Sequence, residues 1–228
     1  KMGLYAVLRW LMPVLPEGVS YWSNTVIVLS IIGILYASII ALQQTNIKRF
    51  IAYSSIAHMG LMCAAAFVQN DLALHGVKIQ MFMHGINIAG MWLVVSIIEN
   101  RYQTKEMNAL GGIASTMPKL AIAFVIISFA NIALPLTNGF VGEFMLFAGI
   151  FSSANPSHVL YMVLAGLGVI LGAAYTLRML QKVVFGTASN TQAVKDLSIN
   201  EWCVLAIVLS LIIALGVYAK PLLTLTSF

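Results

Sequence analysis

The sequence has very little charge and very little cysteine. Only 8% of its 228 residues are charged, 61% are hydrophobic, and the mean hydropathy is +0.95. Soluble domains carry about 25% charged and about 45–50% apolar residues. This composition therefore excludes a soluble, disordered, collagen-like or coiled-coil protein, and it predicts an all-α, polytopic membrane protein.

The motifs of metal, nucleotide and nucleophilic sites are missing as well. The two cysteines, Cys63 and Cys203, lie in separate apolar stretches and give neither a disulfide framework nor a metal-ligand spacing. The sequence has no phosphate-binding glycine loop, no CxxC pair, no zinc spacing and no nucleophile elbow. The net charge of +5 comes from scattered cations that form no nucleic-acid-binding patch. We expect no cofactor, metal ion or nucleic acid to be bound by this chain.

Long apolar runs fill most of the sequence. A transmembrane helix needs about 20 mainly apolar residues, and the sequence predicts about six such helices after a truncated first one that ends at Leu15. The predicted spans are residues 25–42, 50–68, 74–98, 120–151, 159–185 and 202–225. Pro16-Glu17-Gly18 and Asn155-Pro156-Ser157 predict turns between spans. Because the chain opens inside an apolar run without an initiator methionine, we expect residues 1–228 to be a single transmembrane domain from a longer protein.

Basic residues are concentrated in every other loop. Eight of the 12 cations lie in this set of loops: Lys48, Arg49, Arg101, Lys105, Lys119, Arg178, Lys182 and Lys195. The opposite side has only Arg9 and Lys220. Because cytoplasmic loops of membrane proteins are enriched in Lys and Arg, the basic loops are predicted to face the cytoplasm.

The span over residues 120–151 is too long for one ordinary transmembrane helix. Its centre contains Pro135, which removes a backbone donor, and Asn138-Gly139, which tolerates unwound backbone. We expect a discontinuous helix that breaks near Pro135 and restarts around Asn138. Broken helices within a membrane are tolerated only where they are buried in protein or line a cavity, and they commonly mark transport sites. A plain proline kink is the alternative.

Two charged residues lie deep in apolar segments. Glu143 follows the break without a basic residue within four positions. A carboxyl group there either stays protonated or pairs with another helix, and both suit a proton carrier. An inert ion pair between helices is the alternative. Lys1 lies roughly 22 Å from the end of its helix at 1.5 Å per residue. A lysine desolvated at that depth can exchange protons, unless a membrane boundary lies close to it.

Two histidines each carry a polar stripe on an apolar helix. His58 has two serines one turn before it, and His84 lies between Gln80 and Asn87 on one helix face. Histidine titrates near physiological pH, and hydroxyl or amide groups can hold relay waters. We predict that both histidines take part in proton transfer, with a simple packing role as the alternative. Lys78 lies on another face and is expected to extend towards the outer surface.

Three segments resemble the signatures of a single protein family. They are IKRFIAYSSIAHMG at residues 47–60, QMFMHG at residues 80–85 and NGFVGEF at residues 138–144. All three are similar to signatures of the antiporter-like, proton-translocating subunits of respiratory complex I. The glutamate in the third segment resembles the subunit M (chain 4) branch of this family, whereas the homologous subunits L and N typically have lysine there. The segment GAAYTLRML at residues 172–180 also resembles that branch.

The resemblance implies a fold of fourteen transmembrane helices with two inverted five-helix repeats. This chain would run from the end of helix 8 through helix 14. The resemblance also implies a proton-transfer axis formed by Lys1, His58, His84 and Glu143. NADH, FMN, iron–sulfur clusters and quinone would be bound by other subunits. The implied partners are those membrane subunits, including homologous antiporter-like ones, together with the lipid bilayer and protons.

The implied function is proton translocation coupled to NADH:quinone electron transfer in other subunits. The expected location is a bacterial cytoplasmic (inner) membrane rather than a mitochondrial inner membrane. Two rival hypotheses share the fold, namely a subunit of a multisubunit sodium/proton antiporter and a membrane subunit of an energy-converting hydrogenase. A structural membrane anchor is a third alternative. It predicts that Glu143 and both histidines can be neutralised without functional cost.

Overall fold

The computed structural model describes residues 1–187 and 194–225, which form a bundle of helices. In chain order these are α1 (Met2–Ala6), a π-helical turn (Val7–Leu11), α2 (Met12–Val14), α3 (Pro16–Gln43), α4 (Ile47–Phe67), α5 (Asp71–Tyr102), α6 (Ile113–Thr116), α7 (Pro118–Asn131), α8 (Asn138–Phe151), α9 (His158–Val183), α10 (Ile199–Val217) and α11 (Lys220–Leu225). Within the described residues, α3, α4, α5, α9 and α10 are each long and apolar enough to cross a membrane. With α7 and α8 counted as one interrupted span, the prediction of about six spans after a truncated first helix is confirmed.

Polar side chains define where three of the long helices begin. Asn46 accepts hydrogen bonds from two backbone N–H groups in the first turn of α4, and Asn70 does the same for α5. At α10, Ser198 and Glu201 form a reciprocal capping box. These caps satisfy N–H groups that have no partner within their own helix, so they fix each helix start.

The predicted turn at Pro16-Glu17-Gly18 is wrong. These residues form the first turn of α3, which begins well before the predicted start at residue 25. Proline is favoured at the first helical position because its missing N–H would have no partner there. Glu17 in the same turn complements the positive end of the helix dipole. The turn at Asn155-Pro156-Ser157 is confirmed, since it lies between α8 and α9.

The last predicted span, residues 202–225, is also wrong at its end. α10 ends at Val217, and a separate short helix, α11, begins at Lys220. Pro221 has no backbone N–H, and its ring would clash with the carbonyl of Val217 four residues earlier. A single helix therefore does not continue through this segment.

Buried apolar side chains form two clusters separated by a polar layer. One cluster, which includes Phe50, Val94 and Phe124, lies towards the basic loops. The other, which includes Leu61 and Leu146, lies towards the opposite end of the bundle. The polar residues singled out in the sequence fall between these clusters along α4, α5 and α8. The bundle thus surrounds its polar layer with packed apolar side chains on both sides.

Basic residues from two predicted cytoplasmic loops lie together at one end of the bundle. Lys48 and Lys105 both form ion pairs with Glu99, with a distance of 3.1 Å for Lys105 Nζ. Arg101 Nη2 donates to both carboxylate oxygens of Glu201, at 2.9 and 2.8 Å. These contacts support the common placement of the basic loops, and their cytoplasmic orientation stays a prediction.

Candidate functional site

The predicted helix break is present between α7 and α8. α7 ends at Asn131, α8 begins at Asn138, and Pro135 lies in the connection. Ala133 and Leu136 adopt φ angles of 55° and 74°, a left-handed conformation that is uncommon for residues other than glycine. The prediction of a discontinuous helix is confirmed, and the connection has a strained backbone.

Side chains at the break hold both of its ends against α5. Asn87 Nδ2 donates to the carbonyl of Ala130 at 3.1 Å. This carbonyl belongs to the last turn of α7 and also accepts from the backbone N–H of Ala133 at 3.2 Å. Asn138 Nδ2 donates to the carbonyl of Met83 at 3.4 Å. The two bonds fix the ends of α7 and α8 to the middle of one continuous helix.

Glu143 lies in the second turn of α8 and is only 5% exposed. Its Oε1 atom is 3.1 Å from His58 Nδ1 on α4 and 3.5 Å from Gln80 Nε2 on α5. The sequence left open whether this carboxyl group stays without a partner or pairs with another helix. The structure pairs it with two helices, which offsets part of the cost of removing it from water.

Gly142 permits this close contact between α8 and α5. A Cβ atom at residue 142 would lie 2.2 Å from Gln80 Oε1 and 3.0 Å from the Gln80 backbone. Any side chain there would push the two helices apart. The glycine next to Glu143 is therefore required for the geometry of the carboxyl group.

The two predicted histidines lie next to each other. The ring centroids of His58 and His84 are 5.0 Å apart, and His84 Nε2 is hydrogen-bonded to Ser55 Oγ at 3.0 Å. The two serines on the helix face of His58 bond elsewhere. Ser55 is hydrogen-bonded to His84, and Ser54 donates to the carbonyl of Ile51 at 3.2 Å. Helices α4, α5 and α8 together bring His58, His84 and Glu143 into one cluster.

Lys1 lies beside this cluster rather than within it. Its Nζ atom is 3.0 Å from Met59 Sδ, one residue along α4 from His58. The side chain of Lys1 is exposed in the described chain. The structure thus brings three of the four predicted axis residues into contact, and the role of Lys1 stays a prediction.

Several buried amide groups surround the break with part of their hydrogen-bonding capacity unused. Gln80 Oε1, Asn87 Oδ1, Asn138 Oδ1 and both polar atoms of the Asn131 side chain have no hydrogen-bond partner among the described residues. All four side chains are at least 97% buried, and buried polar groups are nearly always satisfied by protein or ordered water. From the sequence, Asn138 was predicted only to mark the break. Its position beside Pro135 was the signal that it belongs to the site.

A small cavity adjoins the contact between His58 and Glu143. Its volume is about 20 Å³, and Tyr175 and small residues such as Gly168 and Gly172 complete its walls. A cavity needs a volume of roughly 10–15 Å³ to hold one water molecule. This cavity can therefore hold a water molecule beside the carboxyl group. Among residues 1–187 and 194–225, no group of three or more His, Cys, Asp or Glu side chains could hold a metal ion.

Comparisons with known proteins place the chain in a family. Residues 1–168 match the family described as NADH:quinone oxidoreductase/Mrp antiporter, TM. The chain is 39% identical to NADH-quinone oxidoreductase subunit M of Rickettsia typhi over 225 residues, which cover 98% of this chain and 45% of that relative. The chain therefore spans a little under half the length of the curated relatives it matches.

Solved structures show the same fold. Superposition on a chain of respiratory complex I from Thermus thermophilus gives a TM-score of 0.88 with 27% identity, covering 98% of this chain and 48% of that one. A chain of the Mrp complex from Dietzia sp. DQ12-45-1b gives a TM-score of 0.87, with coverage of 97% and 49%. Its identity of 17% shows likeness of fold alone. Since the family match covers most of the sequence, the chain is a multi-pass integral membrane protein that belongs to the NADH:quinone oxidoreductase/Mrp antiporter transmembrane family.

Proposed function

We propose that this chain forms part of a proton-translocating membrane subunit of NADH:quinone oxidoreductase, of the subunit M type, in a bacterial cytoplasmic membrane. The observation that carries the proposal is the buried contact of Glu143 with His58, with the His84 ring 5.0 Å from that of His58. Electron transfer, NADH, flavin, iron–sulfur clusters and quinone belong to other subunits of the complex. The homologous membrane subunits are the proposed partners.

The geometry of His58 suits a proton relay. Its Nδ1 atom faces Glu143 Oε1, and its Nε2 atom is buried without a hydrogen-bond partner among the described residues. A proton that arrives at Nε2 allows the proton on Nδ1 to pass to the carboxylate. The imidazole is neutral before and after this exchange, so a single histidine moves one proton from one face to the other.

His84 extends the axis away from the carboxyl group. It is bonded to Ser55, and Asn87 lies one turn further along α5, where its side chain contacts the broken helix. The partly bonded amides at the break supply donors and acceptors that can orient water between His84 and the basic end of the bundle. Lys1, beside Met59, is the proposed connection from this axis to the preceding part of the subunit.

The relatives favour complex I over the rival antiporter. The likeness to the Mrp chain is one of fold at 17% identity, whereas the match to subunit M is a sequence match at 39%. The buried His58–Glu143 contact weighs against a pure membrane anchor, since ionisable groups are costly in an apolar interior and an anchor has no need to retain them.

The test uses the complex that contains this chain, in inverted membrane vesicles. Glu143→Gln keeps the shape of the side chain but removes proton exchange. We expect NADH-driven proton uptake to be lost while the complex still assembles, with NADH oxidation recorded side by side. Glu17→Gln is the matched control, because Glu17 undergoes the same chemical change at an exposed position at the start of α3.

Two results would overturn the proposal. Unchanged proton uptake in Glu143→Gln would exclude the carboxyl group from the proton path and favour the anchor. Sodium-driven proton exchange, in a complex without any NADH-driven activity, would assign the chain to an antiporter.

A further inference from the structure

The basic end of the bundle has an open cavity whose described lining residues include cations but no carboxylate. Its volume is about 580 Å³, and it lies at the end of α9 against the loop that contains Asn108. Arg178 and Lys182 lie one turn apart on α9 and both line it, together with Gln181 and Phe185. None of the described side chains that line this cavity is acidic. We refer to this space as the basic cavity.

The two cations of the basic cavity have no carboxylate partner among the described residues, unlike three of the cations nearby. Lys48, Lys105 and Arg101 are each paired with a glutamate. In contrast, Lys182 Nζ donates only to the neutral Asn108 Oδ1, at 3.0 Å, and Arg178 has no hydrogen bond or ion pair with any described residue. Like charges four residues apart on a helix repel each other. An anion held between the two side chains would remove this repulsion.

An apolar groove adjoins the basic cavity on the other side of Phe185. Its volume is about 350 Å³, and Ala114, Ile122, Ile126 and Val184 are among its walls. The groove follows α7 from its first residues for about 12 Å at 1.5 Å per residue, into the span. Phe185 borders both spaces and is 66% exposed. A charged site and an apolar groove therefore meet at one aromatic side chain.

We propose that these two spaces bind one anionic phospholipid of the cytoplasmic leaflet. The phosphate lies between Arg178 and Lys182, where guanidinium and ammonium groups can both donate to its oxygens. An acyl chain occupies the groove along α7. Basic pockets between transmembrane helices on the cytoplasmic side are suited to anionic headgroups. A lipid matches both halves of the site, whereas a soluble anion matches only the cavity and an apolar protein segment only the groove.

The test uses the intact complex in detergent, titrated with phosphatidylglycerol, with bound lipid counted by native mass spectrometry. The variant Arg178→Gln/Lys182→Gln is compared with Arg49→Gln/Lys119→Gln. The control removes the same charge from two exposed positions at the same end of the bundle, outside the basic cavity. Each cation near an anionic lipid surface contributes about fivefold to binding. We therefore expect roughly 30-fold weaker binding of one phosphatidylglycerol in the cavity variant, and no loss of this lipid in the control.

Equal phosphatidylglycerol binding in the two variants would overturn the proposal. So would release of a neighbouring membrane subunit from the cavity variant with lipid binding intact, because the surface would then dock a protein. If the cavity variant does not assemble, the wild-type complex decides the question. Its bound phosphatidylglycerol must resist exchange by phosphatidylcholine and by glycerol phosphate, and ready displacement by either would contradict a site that recognises both headgroup charge and acyl chain. The outcome is independent of proton translocation, because it requires only that the chain lies in a membrane with its basic end towards the cytoplasm, as the charge bias predicts.

Discussion

The bundle has two polar regions that are built in different ways. At the basic end, the side chains of Arg101 and Glu201 are each 26% exposed and meet in a bidentate ion pair. In the middle of the bundle, the side chains of His58 and Glu143 are only 12% and 7% exposed and share a single contact. Exposed ion pairs contribute little to stability, while buried ones carry a desolvation penalty that geometry must offset.

The two regions also differ in how completely their polar atoms are bonded. Glu99 accepts from Lys48 and Lys105, and Glu201 is bonded by Arg101 and by its own capping box. Around the break, several amide atoms more than 95% buried have no hydrogen-bond partner among the described residues. A region that served stability alone would not retain them, because each costs about 1–3 kcal/mol when unsatisfied. The comparison indicates a connecting role for the first region and supports the proposed transport role of the second.

The largest effect is expected from a change that separates the helices of the buried region. In Gly142→Val, the new side chain overlaps Gln80 and pushes α5 away from α8. Because this strains the packed core, we expect the free energy of unfolding to fall by about 3 kcal/mol. Proton uptake should fall with it. Gly166→Val on α9 is the control, since a Cβ there meets nothing within 4 Å. Equal melting midpoints of the two purified complexes would contradict the close contact.

Removal of one partner from the buried contact should have the next largest effect. His58→Leu leaves Glu143 without its nearest donor and should lower the free energy of unfolding by about 2 kcal/mol. His58→Asn separates stability from transport, because its amide can donate to Glu143 but cannot take up and release a proton. We expect the asparagine variant to regain thermal stability while NADH-driven proton uptake stays absent. Uptake by this variant would exclude His58 from the proton path.

The smallest effect is expected at the basic end. Glu99→Gln weakens the pairs with Lys48 and Lys105, which are partly exposed and therefore screened by salt. The melting midpoint should fall slightly at low ionic strength and match the wild type at high ionic strength. Glu106→Gln, an exposed carboxylate in the loop that follows α5, serves as the control. A loss of stability in Glu99→Gln that does not change with ionic strength would contradict the difference drawn between the two polar regions.

Much of the fold and part of the site could be predicted from the sequence. The break between Asn131 and Asn138 follows from local backbone chemistry, and Glu143, His58 and His84 stand out because ionisable groups are costly in apolar spans. Local patterns did not give the contacts between these residues. The approach of Gln80 to Glu143 depends on the packing of α8 against α5, which no periodicity within either helix specifies. The start of α3 was missed for a related reason, since proline opens some helices and ends others according to its position.

The continuity of α5 has a mechanical consequence. This one helix carries Gln80, His84 and Asn87 in the middle of the bundle and Glu99 and Arg101 at its basic end. At 1.5 Å per residue, His84 and Glu99 lie about 22 Å apart along its axis. A tilt of about 5° about the basic end would then move His84 sideways by about 2 Å, enough to open its 3.0 Å hydrogen bond to Ser55. Because α5 is one continuous helix, a tilt of the whole helix changes the position of His84 relative to Ser55 on α4.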